Sequence, residues 1–425
     1  MNTTTAPHGR RVAIASLVGT ALESYDQYVF AWLAALFVGP LFFEPLGTVG
    51  GTLAAFATFG VTFIVRPLGG IIFGYIGDRY GRRITLITTV TMIGLATGLV
   101  GLLPTYAQGG WTGAIILVAL RLLEGLSLGG EWGGAVAMSA EHASADRRGI
   151  AATLPQLGSP IGSILSNSVW LAIFILIPYD QIAEWAWRIP LLTALPLLLV
   201  SLYLRWGLPE SPEFLANKDT TPRGLLPLAA VFRHAPVAFL VAIGAALLGH
   251  GSYTVMNTYT LNYGAYTLGY DYMQMTMALT IGGIVQLIAI PLFGVWANRV
   301  GSARIVAAGA LGTLVVAIPL YWLIQDGSMT LLIAIMIIGG ILPTAAWAGL
   351  GGTMETLFDA RIRMTALSLA YNIAAAIAAT LPFVLTFAQT TTDNAWWHPA
   401  IVLMAMSLIT LVSAVAAHRM AQKQT

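Results

Sequence analysis

The 425 residues contain no cysteine, which excludes disulfides, cysteine-held zinc and thiol chemistry. Charge is almost as scarce, at 9% of residues, with 20 Lys and Arg against 18 Asp and Glu. Soluble domains carry about 25% charged residues, and so small a set cannot cover a water-soluble core of this size. A soluble enzyme, a disordered protein and a nucleic-acid binder are excluded together. The near balance of sign, net +2, gives no reason to expect an acidic partner. No His/Asp/Glu group has metal-ligand spacing and no nucleophile stands at base spacing, so neither a metal nor enzyme chemistry is expected. No cleavable leader is expected, because the first apolar segment is too long and carries acids in its middle.

Apolar residues make up 57% of the chain and glycines number 45, while the mean hydropathy is +0.79. Continuous runs of about 20 apolar residues recur, long enough to cross ~30 Å of hydrocarbon. The alternating ~10-residue segments of a membrane barrel are missing. The runs predict an all-α membrane protein with helices at 13–43, 50–76, 84–104, 111–141, 150–177 and 187–207, then at 237–266, 272–297, 303–324, 329–357, 362–388 and 396–418. The longest polar stretch, Arg205 to Pro236, holds five prolines and seven charges and divides these twelve into six and six. The expected organisation is a first six-helix half (1–207), a cytoplasmic linker (208–236) and a second six-helix half (237–425).

A repeat supports that division. Gly74-Tyr75-Ile76-Gly77-Asp78-Arg79-Tyr80-Gly81-Arg82-Arg83 follows the second helix, and Gly294-Val295-Trp296-Ala297-Asn298-Arg299-Val300-Gly301-Ser302-Ala303-Arg304 follows the eighth, 220 residues later. Similar loops at equivalent places predict two pseudo-symmetric six-helix bundles. Placing the termini and the loops after the even-numbered helices on one side gathers 17 of the 20 Lys and Arg there. The positive-inside rule makes that side, and both termini, cytoplasmic. The expected location is therefore multi-pass in the cell (inner) membrane, with the lipid bilayer as a partner.

Six charges remain inside the bilayer: Glu23 and Asp26 on the first helix, Arg66 on the second, and Arg121, Glu124 and Glu131 on the fourth. Each costs several kcal/mol near the bilayer centre unless it is paired or faces water, so together they imply a shared polar cavity. A structural ion-pair network joining helices 1, 2 and 4 is one reading, with Glu124 simply neutralising Arg121. The other reading divides roles by chemistry. Arginine stays protonated and offers a planar fork to a carboxylate, so Arg66 or Arg121 can hold an anion. An acid that exchanges an arginine partner for a proton works as a coupling switch, with Asp26, Glu23 and Glu131 as candidates. The second half contributes uncharged groups: His250, Tyr253, Asn257, Tyr259, Asn262 and Tyr263 on helix 7, Gln286 on helix 8, and Tyr371 and Asn372 on helix 11.

The loop Gly74 to Arg83 resembles the signature loop of the major facilitator superfamily at every defined position. Further stretches resemble its metabolite:proton symporter family, whose members carry shikimate, 2-oxoglutarate, citrate, or proline and betaine. They are Gly19-Thr20-Ala21-Leu22-Glu23-Ser24-Tyr25-Asp26, Arg66-Pro67-Leu68-Gly69-Gly70, Arg121 to Ala135, Trp187-Arg188-Ile189-Pro190 and Leu208 to Phe214. Gly51 to Val61 and Leu261-Asn262-Tyr263 look most like the shikimate branch. The chain departs from the family pattern at Ser24 and Gln27 beside the first-helix acid, and at Asn298 and Ser302-Ala303 in the second loop.

The resemblance implies the major facilitator fold and a cytoplasmic gate made by Gly74, Asp78, Arg79, Gly81, Arg82 and Arg83. It maps the family's membrane acids onto Asp26 and Glu131 and its arginines onto Arg66 and Arg121. The expected activity is proton-coupled import of a small organic carboxylate, shikimate-like or a di- or tricarboxylate, by alternating access. Substrate contacts are expected from Arg121, Arg66, Tyr25, Trp132, Gln156, Asn257, Tyr253, Tyr263 and Asn372. No cofactor is expected beyond the proton as coupling ion. By resemblance the protein is a monomer. A zwitterion such as proline or betaine is the alternative substrate, with an acid on its ammonium and Tyr25, Tyr28 or Trp132 facing it. Proton-driven export is a further alternative, for which Gly158-Ser159-Pro160-Ile161-Gly162 supplies part of an exporter's glycine pattern.

Overall fold

With no water in hydrocarbon to take up backbone hydrogen bonds, an apolar run of this length must satisfy them internally, and helices form at all twelve expected places. The computed structural model describes residues 6–141, 148–207, 210, 232–233, 235–358, 363–392 and 395–422, and of these the side chains at 6–16, 74–75, 77–79, 82, 130–141, 148–156, 298, 355 and 363–365 lie outside the described set. The helices are α1 (Ala6–Leu36), α2 (Gly47–Tyr80), α3 (Arg82–Val100), α4 (Trp111–Glu141), α5 (Arg148–Leu176) and α6 (Ala194–Trp206). The second half has α7 (Pro236–Thr267), α8 (Tyr272–Val300), α9 (Ser302–Leu323), α10 (Met329–Glu355), α11 (Arg363–Ala379, resumed at Leu381–Thr390) and α12 (Trp397–Gln422). Eleven helices among the described residues are long and apolar enough to cross a membrane. The remaining one, α1, carries Glu23 and Asp26 and packs inside the first bundle. The expected linker, 208–236, lies almost wholly outside the described residues.

The pairing of helices repeats with an offset of six. α2 packs on α4 as α8 does on α10, α3 on α6 as α9 on α12, and α1 on α5 as α7 on α11. The halves meet along two equivalent seams, α2 with α11 and α5 with α8. Gly81 and Gly301, 220 positions apart, begin α3 and α9 with φ of +112° and +97°. That backbone region strains any residue with a Cβ, which explains why both copies of the loop keep a glycine there.

Three elements differ from simple helices. The expected first helix, 13–43, is interrupted at Phe37 before a short turn, Val38–Phe42. The sixth starts as a 3₁₀ turn, Ala186–Arg188, and steps again at Thr193, whose hydroxyl donates to the Pro190 carbonyl at 2.7 Å. Along α7 the backbone widens to π-turns at Thr254–Tyr259 and Tyr263–Thr267. The Thr260 hydroxyl, 2.8 Å from the Val255 carbonyl and 2.5 Å from the Tyr321 hydroxyl, bridges the first of these. Such widenings commonly accompany functional positions, because they re-aim side chains without ending the helix.

Beyond Leu36 the halves are tied together. Asn262 Nδ2 donates to the Ala35 carbonyl at 2.7 Å and the Tyr266 hydroxyl to the Leu36 carbonyl at 2.6 Å. Phe37 stacks on Trp170 with ring centroids 5.4 Å apart and also touches Tyr272. This end of the interface is closed.

Candidate functional site

The glycines of the fourth-helix motif place its arginine. A Cβ on Gly129 would stand 1.9 Å from the Arg66 carbonyl oxygen, one on Gly125 2.1 Å from that of Thr62, and one on Gly69 1.9 Å from that of Leu126. α2 and α4 are therefore in backbone contact along a seam of small residues, a common way for membrane helices to associate. Arg121, one turn from Gly125, is thereby brought against Thr62, one turn from Arg66. Gly129→Val is expected to prevent this approach and destabilise the fold by about 3 kcal/mol or more, read as lost monodisperse protein in detergent. Recovery of stable Gly129→Val protein would mean that the seam is not required.

Inside the first bundle lies a buried charge cluster. Arg121 and Glu124 are fully buried and Asp26 is 2% exposed. Arg121 Nε donates to Thr62 Oγ1 at 3.0 Å, Nη1 donates to Glu124 Oε2, and the guanidinium lies 3.6 Å from the Phe30 ring centroid. The Thr97 hydroxyl of α3 donates to Asp26 Oδ1. Asp26 Oδ2, Glu124 Oε1 and Arg121 Nη2 are buried without a hydrogen-bond partner among the described residues.

A second cluster lies where the halves meet. Arg66 Nη2 stands 3.4 Å from Glu23 Oε1, a loose contact for an ion pair, and Gln27 Nε2 donates to the same oxygen at 3.1 Å. Arg66 Nε is buried without an acceptor among the described residues. Across from this pair, His250 of α7 packs edge-on to Tyr371 of α11 (4.3 Å between centroids) and to Trp347 of α10 (5.1 Å). Arg66 is within electrostatic reach of both His250 and Tyr371, and Glu23 of Tyr371. Next to them Tyr28 meets Tyr253 edge-on at 4.5 Å. A cavity of about 10 Å³ between the halves is lined by Tyr28, Trp32, Asn167, Tyr253, Asn257 and Leu261, among others. That is room for about one water, so a metabolite enters only when the halves separate.

The expected contacts therefore divide. Glu23, Arg66, Tyr253 and Asn257 reach the interface, although the Asn257 amide also donates to the Tyr253 carbonyl at 3.3 Å. Asp26 and Arg121 come together inside the first bundle instead. Tyr25, expected at the substrate, turns away, because its hydroxyl donates to the Pro190 carbonyl at 2.8 Å and meets Thr193. Tyr263 stacks on Tyr259 and bonds Gln325 within the second half, and Asn372 donates to the Ser368 carbonyl of its own helix at 2.9 Å. The side chains of Glu131, Trp132 and Gln156 lie outside the described set, as do those of Asp78, Arg79 and Arg82, and the surroundings of Gly74 lie outside it too.

Arg83 is described. Its guanidinium donates to the Trp206 carbonyl at 2.5 Å and its backbone N–H to the Glu210 carboxylate at 3.2 and 3.3 Å, which ties α3 to the end of α6 within one half. Gly158 and Gly162 lie against Thr20, Ala21, Ser24 and Tyr25 of α1, so helix packing accounts for the part of the exporter pattern that they supply. Thr62, Thr97, Phe30 and Trp347 were not anticipated. A threonine or phenylalanine in an apolar helix carries no motif that separates it from its neighbours.

Two pseudo-symmetric helical bundles enclosing polar and charged groups at their interface define a multi-pass membrane transporter, and comparison places it further. The "Sugar (and other) transporter" family model matches residues 12–225 and "MFS/sugar transport protein" matches 133–357. The chain belongs to the major facilitator superfamily, among its metabolite transporters, and is a protein of the inner membrane. It is 33% identical over 411 residues to the shikimate transporter of Escherichia coli (strain K12), covering 95% of this chain and 93% of that one. It is 29% identical over 415 residues to the proline/betaine transporter of the same strain, covering 96% and 83%. The solved structure of XylE, a proton:xylose symporter bound to 6-bromo-6-deoxy-D-glucose, aligns with a TM-score of 0.77 at 17% identity over 97% of this chain and 95% of that one, a likeness of fold.

Proposed function

We propose that the chain is a proton-coupled symporter importing a small organic carboxylate by alternating access, with the carboxylate taken by Arg66 and the proton by the Asp26 region. The observation that carries this reading is the state of Arg66. At the interface of the halves it has a 3.4 Å contact to Glu23 and a buried Nε with no acceptor among the described residues. A substrate carboxylate offers two parallel N–H···O bonds to that fork and so competes well with Glu23. Arg121, by contrast, already spends Nε on Thr62 and Nη1 on Glu124 inside the bundle. The shikimate transporter among the relatives supports an acid substrate, and the proton symporter among the structural neighbours supports the coupling.

On the positive-inside orientation, the closed end held by Asn262 and Tyr266 faces outward, and those bonds break when substrate enters. Proton and anion together leave the site neutral, which lowers the cost of the closed, dehydrated state. Coupling requires that the loaded protein favour the crossing rather than one end state. A second reading rests on the company Glu23 keeps. With Arg66 beside it and the rings of Tyr371 and Tyr28 nearby, it can hold an ammonium while Arg66 holds the carboxylate of a zwitterion, and a proline/betaine transporter is among the relatives.

Liposomes containing the purified protein under an inward pH gradient test both. Accumulation of shikimate or a dicarboxylate, abolished by a protonophore, is expected. Accumulation of proline or betaine alone would transfer the conclusion to the second reading, and uptake indifferent to the protonophore would remove the coupling.

A further inference from the structure

We infer that the buried proton of this transporter is shared by a carboxyl pair, Asp26 and Glu124, which makes Glu124 a coupling residue rather than a mere neutraliser of Arg121. The inference rests on the proton-coupled reading above and adds a second residue to it.

Four observations meet at the pair. Both side chains are shut off from solvent, Glu124 completely and Asp26 to 2%. Each has one oxygen engaged by a donor, Asp26 Oδ1 by Thr97 and Glu124 Oε2 by Arg121. Each has its other oxygen, Asp26 Oδ2 and Glu124 Oε1, buried with no donor among the described residues. The two side chains are also direct neighbours, close enough for a carboxyl–carboxyl hydrogen bond.

An unsatisfied buried carboxylate oxygen is expensive, and two carboxylates side by side cannot both ionise cheaply. One proton removes both difficulties, since the O–H formed on one orphan oxygen donates to the other. Charge balance among the described side chains agrees. Glu23 and Arg66 cancel, whereas Asp26 and Glu124 face Arg121 with one negative charge left over, which one proton neutralises. Among the described residues, the other ionisable groups that reach the pair are Tyr25 on α1 and Arg66 on α2, and Tyr25 is already committed to Pro190 and Thr193. When the proton departs to water, Arg121 Nη2, which has no partner among the described residues, is the donor left to meet the second carboxylate.

Such a proton belongs to the pair and not to one residue, so each single substitution is expected to release it. Infrared difference spectroscopy of the purified protein, with exchange into heavy water, reads the carbonyl stretch of a buried protonated carboxyl without any substrate. The wild-type protein is expected to show that band, and both Asp26→Asn and Glu124→Gln to lose it, because the remaining acid is then balanced by Arg121. Loss in Asp26→Asn with an unchanged band in Glu124→Gln would assign the proton to Asp26 alone and overturn the pair. A band unchanged in both variants would also overturn it.

Should either variant fail to fold, Thr97→Val removes the hydroxyl that donates to Asp26 Oδ1 and that also lies 3.0 Å from the Ile93 carbonyl of its own helix, and leaves both carboxyls in place. The band is then expected to shift in frequency, and an unmoved band overturns the inference. Gradient-driven uptake by the wild-type protein is a separate test, because its failure strikes the symport reading and leaves the band untouched.

Discussion

Arg66→Lys is expected to raise the concentration of carboxylate substrate needed for half-maximal uptake by about 100-fold, with the yield and thermal stability of the protein unchanged. Lysine keeps the positive charge, so the contact with Glu23 and the charge balance of the interface survive. It lacks the planar fork, so a carboxylate gains one point contact in place of two parallel bonds. Truncating one partner of a buried hydrogen-bonded charge pair costs about 2–5 kcal/mol, and about 3 kcal/mol corresponds to about 100-fold. The same change at Arg121 is expected to act on the fold instead, since Thr62, Glu124 and Phe30 all depend on that guanidinium in the dry interior. Normal affinity in Arg66→Lys beside weakened affinity in a well-folded Arg121→Lys would exchange the two assignments.

Asp26→Asn is expected to leave exchange of substrate across the liposome membrane intact while abolishing its accumulation against a gradient, so that the inside-to-outside ratio falls to about one, the value for equilibration without coupling. Asparagine is a neutral shape match that still accepts from Thr97, and it leaves Glu124 balanced by Arg121. The site is then held as if permanently loaded with its proton, free to cycle with substrate but with nothing to release. Accumulation that survives in this variant would place the proton elsewhere. Loss of exchange together with accumulation would mean that Asp26 serves the structure and not the coupling.

Much of this site was legible because charge in a membrane is conspicuous. Glu23, Asp26, Arg66, Arg121 and Glu124 each stand out in a long apolar run, and the expense of burying them says in advance that they must meet. Gly81 and Gly301 were legible as a repeat, and their positive φ supplies the reason. Sequence left unresolved which charge meets which. Arg66 and Arg121 looked interchangeable as anion holders, yet one reaches the interface and the other is enclosed by its own bundle. Tyr25, adjacent to Asp26, looked like a substrate contact, but successive residues on a helix point about 100° apart, and its hydroxyl belongs to Pro190. Thr62 and Thr97, which complete the buried cluster, were invisible because a threonine in an apolar helix more often bonds its own backbone, as Thr58 and Thr91 do here.

Sequence by itself determined that this chain is built of twelve long helices in two related halves, that it is a transporter of the major facilitator superfamily, and which few charged residues its membrane interior contains. Those follow from long-range regularities, namely hydropathy over about 20 residues, the bias of basic residues toward one set of loops, and a spacing repeated after 220 positions. Only the tertiary structure decided how the charges divide, with Glu23 and Arg66 placed toward His250 and Tyr371 of the second half while Asp26, Glu124 and Arg121 are sealed within the first. The physical reason is that the division is set by backbone contact at Gly69, Gly125 and Gly129 and by the rotation of each helix about its axis. Both are properties of how helices pack against one another, which no single helix's sequence contains.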